Sequence, residues 1–241
     1  MRIVVKVGTS TLAHATGALN IRRTAALCRV LADIKNAGHE LVLVSSGAIG
    51  MGVGKLHLPG RPADMPSKQA AAAVGQCELM YTYDRLFSQY NHTVAQMLLT
   101  WEDFDHEVRL YNLRNTLKRL LQLGAIPIIN ENDTVACEEY SLGDNDTLAA
   151  LVAQCCGADL VVLLSDIDGL YTADPHSDPH ARLIPVVEEI TPEIEMLAGG
   201  AGSALGTGGM LTKVVAAKRA TSAGVDLIIA NGAHAEVLYD I

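Results

Sequence analysis

Residues 125–146 read AIPIINENDTVACEEYSLGDND, and this stretch indicates how the chain is built. An apolar run at 125–129 leads into a segment dense in amides and carboxylates at 130–133. A second Asn/Asp cluster at 143–146 comes directly before an Ala/Leu-rich helical pattern. A solvated acidic loop is the ordinary interpretation of such a segment. Two Asn/Asp clusters, each at a strand-to-helix junction, favour a functional site instead.

Apolar runs that read as buried strands recur at residues 3–7, 41–44, 93–98, 125–129, 159–164 and 225–229. Helical patterns lie between them, at residues 20–37, 67–89, 107–123, 147–156, 190–198 and 210–223, with Asn20 as the candidate N-cap of the first. The glycine-rich residues 45–54, after the second apolar run, are interpreted as a turn. This alternation predicts an α/β fold with a mainly parallel central sheet. Ligands bind such sheets at the carboxyl ends of the strands, where the polar clusters fall. No linker or tandem repeat divides the chain, so one domain over residues 1–241 is predicted.

Composition argues against several classes of protein. A net charge of -9 argues against a nucleic-acid surface, which needs a basic stripe. No apolar run approaches the ~20 residues that span a bilayer, and the N-terminus lacks a signal-peptide pattern, so a cytoplasmic protein is predicted. The five cysteines are odd in number and lack zinc spacing, which argues against disulfides and structural zinc. For Cys137, within the polar loop, an inert thiol is favoured over a reactive one.

Two lysines are notable for their positions. Lys6 lies inside the first apolar run beside Gly8, and buried lysines are rare unless paired or functional; an edge strand with Lys6 in water is the alternative. Lys213 follows a glycine-rich segment that opens a helical pattern, an arrangement that binds phosphate through backbone N–H groups. The Walker spacing is absent, and a glycine hinge is the alternative. Two such lysines could flank a transferring phosphoryl group, with Asp146 holding them in place.

Six segments of the chain together resemble the amino acid kinase family. They are residues 5–10 (VKVGTS), 45–49 (SSGAI), 130–133 (NEND), 143–146 (GDND), 165–175 (SDIDGLYTADP) and 206–213 (GTGGMLTK). The first, fifth and sixth are shared across that family, and they imply ATP-dependent phosphorylation by a three-layer αβα sandwich. The other three are similar to the members that phosphorylate the γ-carboxylate of L-glutamate.

The resemblance implies the reaction and the residues that perform it. ATP, with Mg²⁺ on the nucleotide, would phosphorylate L-glutamate to γ-glutamyl 5-phosphate, the first step of proline biosynthesis. Catalytic roles are implied for Lys6, Lys213 and Asp146, and glutamate-binding roles for Ser46, Asp133 and Asn145. ATP contacts are implied for Lys6, Ser165, Asp166, Thr207, Gly208, Gly209, Met210, Leu211, Thr212 and Lys213. The N-terminal part would bind glutamate and the part from about residue 160 the nucleotide; no protein metal ligands are assigned.

The resemblance also implies partners. They are L-glutamate and ATP, proline as a feedback inhibitor, a second copy of the chain in a homo-oligomer (dimer or tetramer), and glutamate-5-semialdehyde dehydrogenase as the recipient of the product. Neither nucleic acid nor a membrane is expected. Many bacterial relatives carry a C-terminal PUA domain, and the 241 residues end before one.

Two other functions stay open at this point. One is another kinase of the same fold, acting on acetylglutamate or uridylate, although the Asp/Asn-rich segments do not suit a base and a second phosphate. The other is a non-catalytic sensing module. The presence of Lys6, Lys213 and Asp146 together argues against that second function.

Overall fold

The computed structural model describes residues 1–14, 18–136, 144–173, 175, 178–199 and 209–241. Its strands are β1 (Arg2–Val7), β2 (Glu40–Ser45), β3 (Val94–Leu99), β4 (Ile126–Glu131), β5 (Leu160–Ser165), β6 (Leu170–Tyr171), β7 (Leu183–Ile184) and β8 (Asp226–Asn231). Six of them form one sheet in the order β3-β4-β2-β1-β5-β8, and every neighbouring pair is parallel. Strands β6 and β7 form a separate antiparallel pair. The predicted parallel sheet is confirmed.

Helices cover both faces of the sheet. They are α1 (Thr9–Leu12), α2 (Ile21–Asn36), α3 (Ala48–Lys55), α4 (Met65–Ser88), α5 (Glu102–Asp105), α6 (Glu107–Gln122), α7 (Asn145–Cys156), α8 (Pro192–Ala198) and α9 (Met210–Thr221), with a 3-10 helix at Ala235–Tyr239. One core packs α2 and α4 against the sheet, and a second packs α6, α7 and α9 against the opposite face. The three-layer αβα sandwich is thereby confirmed. In the described ranges, none of the helices is both long and apolar enough to cross a membrane.

The strand pattern determines which layer each strand residue meets. Val5 and Val7 of β1 belong to the core under α2 and α4, whereas Val4 belongs to the core under α6, α7 and α9. Because side chains alternate along a strand, Lys6 shares the face of Val4. Strand β1 lies inside the sheet between β2 and β5. The alternative of an edge strand with Lys6 in water is therefore wrong, and Lys6 is 9% exposed.

Several helix starts follow capping signals in the sequence. Asn20 caps α2 by accepting from the Arg23 N–H at 3.1 Å, as the sequence predicts. Asp144 caps α7 by accepting from the Thr147 N–H at 2.8 Å. Helix α7 therefore begins two residues before the predicted start at 147. This shift places Asp146 in the first turn of the helix.

The glycine-rich segment after β2 is a helix, where the sequence predicts only a turn. Gly47 takes a left-handed conformation (φ 105°), and α3 starts at the next residue. A Cβ atom at Gly52 would overlap the Ala71 carbonyl, and one at Gly75 would overlap the Ala48 carbonyl. The glycines therefore let the backbones of α3 and α4 pack in direct contact. Tertiary packing of this kind outweighs the low helix propensity of glycine.

Adding one methyl group at this contact tests its importance. The Gly75→Ala substitution is expected to lower the free energy of unfolding by about 3 kcal/mol, because the new Cβ forces two backbones apart. Urea unfolding measures the change. Gly199→Ala is the control, since a Cβ there meets its nearest atom at an ordinary 3.5 Å. Equal stability of the two variants would contradict the close packing of α3 on α4.

Candidate active site

A cavity of about 680 Å³ opens at the carboxyl edge of the sheet. The ends of β1, β4 and β5, the segment that follows β2, and the first residues of α3 and α7 line it. Parallel strands bring their carboxyl ends to one edge, so residues distant in sequence meet there. The cavity brings together these predicted site residues: Lys6, Ser46, Asp133, Asn145, Asp146, Ser165, Asp166 and Lys213.

Two lysines share one carboxylate at the floor of this cavity. Lys6 Nζ lies 2.8 Å from Asp146 Oδ1, and Lys213 Nζ donates to Asp146 Oδ2 at 3.0 Å. Asp146 is fully buried, and Lys213 is 5% exposed. The three residues come from β1, α7 and α9, which all border the same core. The arrangement places two ammonium groups, held by one carboxylate between them, at the edge of an open cavity.

The charges around Asp146 keep its carboxylate ionised. Burial by itself raises the pKa of Asp146, but the attraction of Lys6 and Lys213 outweighs burial, and the pKa lies below its usual 3.8. The position in the first turn of α7 acts in the same direction, since the N-terminus of a helix favours an anion. Thr212 Oγ1 also lies 3.2 Å from Asp146 Oδ2. An ionised Asp146 holds both ammonium groups where a phosphoryl group could meet them.

A network of side-chain amides and hydroxyls lines the other side of the cavity. Asn145 Nδ2 lies 2.7 Å from Ser46 Oγ and 3.0 Å from Asn130 Oδ1. Asn130 Nδ2 in turn donates to Gln76 Oε1 of helix α4 at 3.1 Å. Two turns farther along the same face of α4, Tyr83 Oη lies 2.7 Å from Ser45 Oγ. Helix α4 therefore supports the exits of both β2 and β4.

Two carboxyl groups on this side have raised pKa values. Burial, and then repulsion from Glu131, raise the pKa of Asp133 to about 6, while Arg61 acts in the opposite direction. Burial also raises the pKa of Asp144, against the hydrogen bond that its carboxylate accepts from Thr147. Burial destabilises the charged form of a carboxylate, and a neighbouring positive charge stabilises it, so such a carboxylate attracts a cation strongly. Asp133 is therefore suited to bind an ammonium group.

The residues that the resemblance assigns to ATP are only partly brought together. Ser165 and Asp166 line the cavity at the end of β5, and Ser165 Oγ donates to Asp166 Oδ1 at 3.1 Å. Helix α9 starts at Met210, which packs against a small separate core, and Leu211 is 43% exposed. Gly209 caps this helix. Thr207, Gly208 and Cys137 lie outside the described residues.

Sequence reasoning missed three residues that the structure brings to the site. Arg61 lines the cavity, although it lies in a Pro/Gly loop that carries no motif. Gln76 and Tyr83 are buried on α4 beneath the cavity. The available signal was their spacing. Polar residues at 69, 76 and 83 lie seven apart, which places them on one face of a helix that is otherwise apolar there.

Comparison with known proteins agrees with this geometry. The profile of the amino acid kinase family matches residues 1–231. The chain belongs to the amino acid kinase family. This confirms the resemblance that the sequence motifs indicate.

Among proteins of this family, a glutamate 5-kinase from Clostridium perfringens (strain 13 / Type A) is 53% identical over 244 residues, which cover 100% of this chain and 91% of the relative. A glutamate 5-kinase from Moorella thermoacetica (strain ATCC 39073 / JCM 9320) is 56% identical over 234 residues, 97% of this chain and 62% of the relative. Carbamate kinase from Giardia lamblia bound to AMP-PNP superimposes with a TM-score of 0.70 at 17% identity, covering 99% of this chain and 95% of that one. That likeness shows the amino acid kinase fold.

Neutralising Asp146 tests the buried ion pairs of this amino acid kinase. Asp146→Asn is expected to lower the free energy of unfolding by about 3–5 kcal/mol at pH 7, because two buried ammonium groups lose their counter-ion. The folded-state pKa of Asp146 lies below the usual 3.8, so its contribution is complete above pH 3.8 and is lost as the pH falls through the folded-state value. The difference between wild type and variant should therefore shrink at pH 3.

Urea titrations at pH 7, 5, 4 and 3 measure this difference, with Asp226→Asn as an exposed control. A loss that is the same at pH 3 as at pH 7 would show that the charge of Asp146 is not its cause.

Proposed function

We propose that this chain transfers the γ-phosphoryl group of ATP to the γ-carboxylate of L-glutamate, which yields ADP and γ-glutamyl 5-phosphate. The observation that carries the proposal is the pair of lysines on Asp146, which lies in the same cavity as the amide-lined pocket around Asn145. Glutamate 5-kinases that are more than half identical over nearly the whole chain support the same reaction.

The transfer needs placement and charge neutralisation more than covalent chemistry. A γ-carboxylate oxygen attacks the γ-phosphorus, the bond from phosphorus to the β–γ bridging oxygen breaks, and ADP leaves with the electron pair. Lys6 and Lys213 stabilise the negative charge on the transferring group and on the leaving oxygen. Asp146 keeps both ammonium groups in position. The carboxylate is already a nucleophile, so the step requires no general base.

The two substrates occupy opposite sides of these lysines. Ser46, Asp133 and Asn145 bind L-glutamate, with the carboxylate of Asp133 taking the ammonium group. Ser165, Asp166 and the start of α9, from Gly209 to Thr212, bind the nucleotide together with Thr207 and Gly208. The N-terminus of α9 favours the phosphates, since a helix N-terminus attracts anions. In this assignment residues 1–241 act as one kinase domain, with the nucleotide-binding part beginning near residue 160.

Magnesium enters this scheme with the nucleotide. In the described ranges, no cluster of three His, Cys, Asp or Glu side chains could hold a metal ion. Mg²⁺ shared with substrate phosphates needs only one or two protein carboxylates, and Asp144 and Asp166 line the cavity. When bound, the ion would neutralise charge on the phosphates.

Further partners belong to the same proposal. A labile acyl phosphate product calls for rapid use, which supports its hand-off to glutamate-5-semialdehyde dehydrogenase. Inhibition by proline and assembly into a dimer or tetramer follow from the assignment as a glutamate 5-kinase. The cysteines of the described ranges, Cys28, Cys77, Cys155 and Cys156, are free thiols, which suits the reducing cytoplasm.

The first experiment measures ADP release with ATP-Mg²⁺ and four acceptors: L-glutamate, N-acetylglutamate, L-aspartate and UMP. We expect ADP release with L-glutamate and with none of the other three acceptors. Lys213→Met should lower kcat for L-glutamate by about 100–1000-fold, because a charge that stabilises the transition state is lost. Lys218→Met, on the exposed face of the same helix, is the control and should retain activity. Preference for another acceptor would refute the proposed substrate.

The second experiment varies the pH. Asp133 must be ionised to bind an ammonium group, and its pKa is raised to about 6. The KM for L-glutamate should therefore be constant above pH 7 and rise by up to about tenfold per pH unit below about 6, while the KM for ATP changes little. In Asp133→Asn the KM for L-glutamate should be high at pH 7.5 and nearly independent of pH. A parallel rise of both KM values in wild type would contradict the role of Asp133.

A further inference from the structure

A chain of side-chain amides connects helix α4 to the side of the cavity that we assign to L-glutamate, the phosphoryl acceptor. Gln76 Oε1 accepts from Asn130 Nδ2 at 3.1 Å, and Asn130 Oδ1 accepts from Asn145 Nδ2 at 3.0 Å. Gln76 is 7% exposed and Asn130 is 3% exposed. Asn130 and Asn145 line the cavity, whereas Gln76 lies behind them. The proposed function uses Asn145 and leaves the purpose of the two amides behind it open.

Two backbone groups determine which way these amides point. The N–H of Glu131 donates to Asn130 Oδ1 at 2.9 Å, and since an N–H can only donate, the atom it meets is the oxygen. Asn130 Nδ2 must then face Gln76, which has to present its own oxygen. At the other end, the Ser45 carbonyl oxygen can only accept, and it lies 3.2 Å from Asn145 Nδ2. Each amide in the chain therefore has one permitted orientation.

This polarity has a consequence at the cavity. With its nitrogen turned to Asn130, Ser45 and Ser46, Asn145 presents Oδ1 on the other side. Within the ranges that the structure describes, Oδ1 makes no hydrogen bond, and Asn145 lines the cavity together with Asp133. An ammonium group has three donors and no acceptor, so a carbonyl oxygen and a carboxylate in the same cavity match it. A flipped Asn145 would instead present an NH₂ group, which repels an ammonium.

We propose that Gln76 is a positioning residue that acts through Asn130 to hold Asn145 Oδ1 toward the ammonium group of the acceptor. The inference deepens the proposed phosphorylation of L-glutamate and rests on it. Without Oε1 of Gln76, the buried NH₂ group of Asn130 has no hydrogen-bond acceptor at the position that Oε1 now occupies. Asn130 is then anchored only at its oxygen end, by the Glu131 N–H, so it holds Asn145 less firmly in place. Binding of α-amino acid acceptors should weaken, although Gln76 does not line the cavity.

The test compares an acceptor that has the ammonium group with one that lacks it. Gln76→Met keeps the length of the side chain and removes the acceptor oxygen. The KM for L-glutamate should rise about tenfold, which is the usual effect of one unsatisfied buried donor. The KM for ATP and the inhibition constant of glutarate, which lacks the ammonium group, should stay within about twofold of wild type. Gln76→Glu, which keeps an acceptor oxygen facing Asn130, should restore most of the binding of L-glutamate.

Gln154→Met is the matched control. Gln154 lies on α7, outside the cavity lining, and its Nε2 donates to the Arg219 carbonyl at 2.8 Å. The control variant therefore also loses one side-chain amide hydrogen bond. Unchanged binding of L-glutamate in Gln76→Met would overturn the inference. Equal weakening of L-glutamate and glutarate would also overturn it, because a general structural effect would then suffice. If wild type does not turn over L-glutamate at all, the proposed function itself fails, and that result is distinct from both others.

Discussion

Two lysines are held on one buried carboxylate, and the functional edge of this protein is arranged around that contact. Burying a charge costs several kcal/mol, and only close pairing offsets the cost. Lys6, Asp146 and Lys213 meet this condition at 2.8 and 3.0 Å. They come from a central strand and two helices of one layer, so the packing of that layer decides whether the charges can meet. Stability and the proposed phosphoryl transfer thus depend on the same hydrophobic core.

The side of the cavity that we assign to L-glutamate depends on the helices that cover the opposite face of the sheet. Ser45 and Asn130 lie on the strand faces that pack toward α4, and Tyr83 and Gln76 of that helix meet them there. The contact of α4 with α3 holds the segment after β2 against this network. Neighbouring residues at the start of α7 join the two sides: Asn145 faces the amide network, and Asp146 faces the lysines. The cavity that we assign to the substrates therefore forms where two helical layers meet over the ends of the strands.

Local signals were sufficient for most of the elements. Apolar runs of β-branched residues predicted all six strands of the sheet, since a strand covered on both faces must be apolar throughout. Caps such as Asn20 gave helix starts directly. The prediction of a turn after β2 was wrong, because the glycines of that segment lower its helix propensity when it is considered alone. The gain from packing α3 onto α4 is a property of two segments that lie about 20 residues apart, and neither segment reveals it alone.

The sequence by itself determined the fold class, the family, the lysines and the Asn/Asp clusters, because each is written in composition or in a short motif. Which chemical groups touch was decided only by the tertiary structure. The shared carboxylate of Asp146, the raised pKa of Asp133, and the amide chain from Gln76 to Asn145 all depend on distance, burial and orientation. Hydrogen bonds and pKa shifts change over a few tenths of an ångström and with the exclusion of water, and the order of residues along a chain specifies neither.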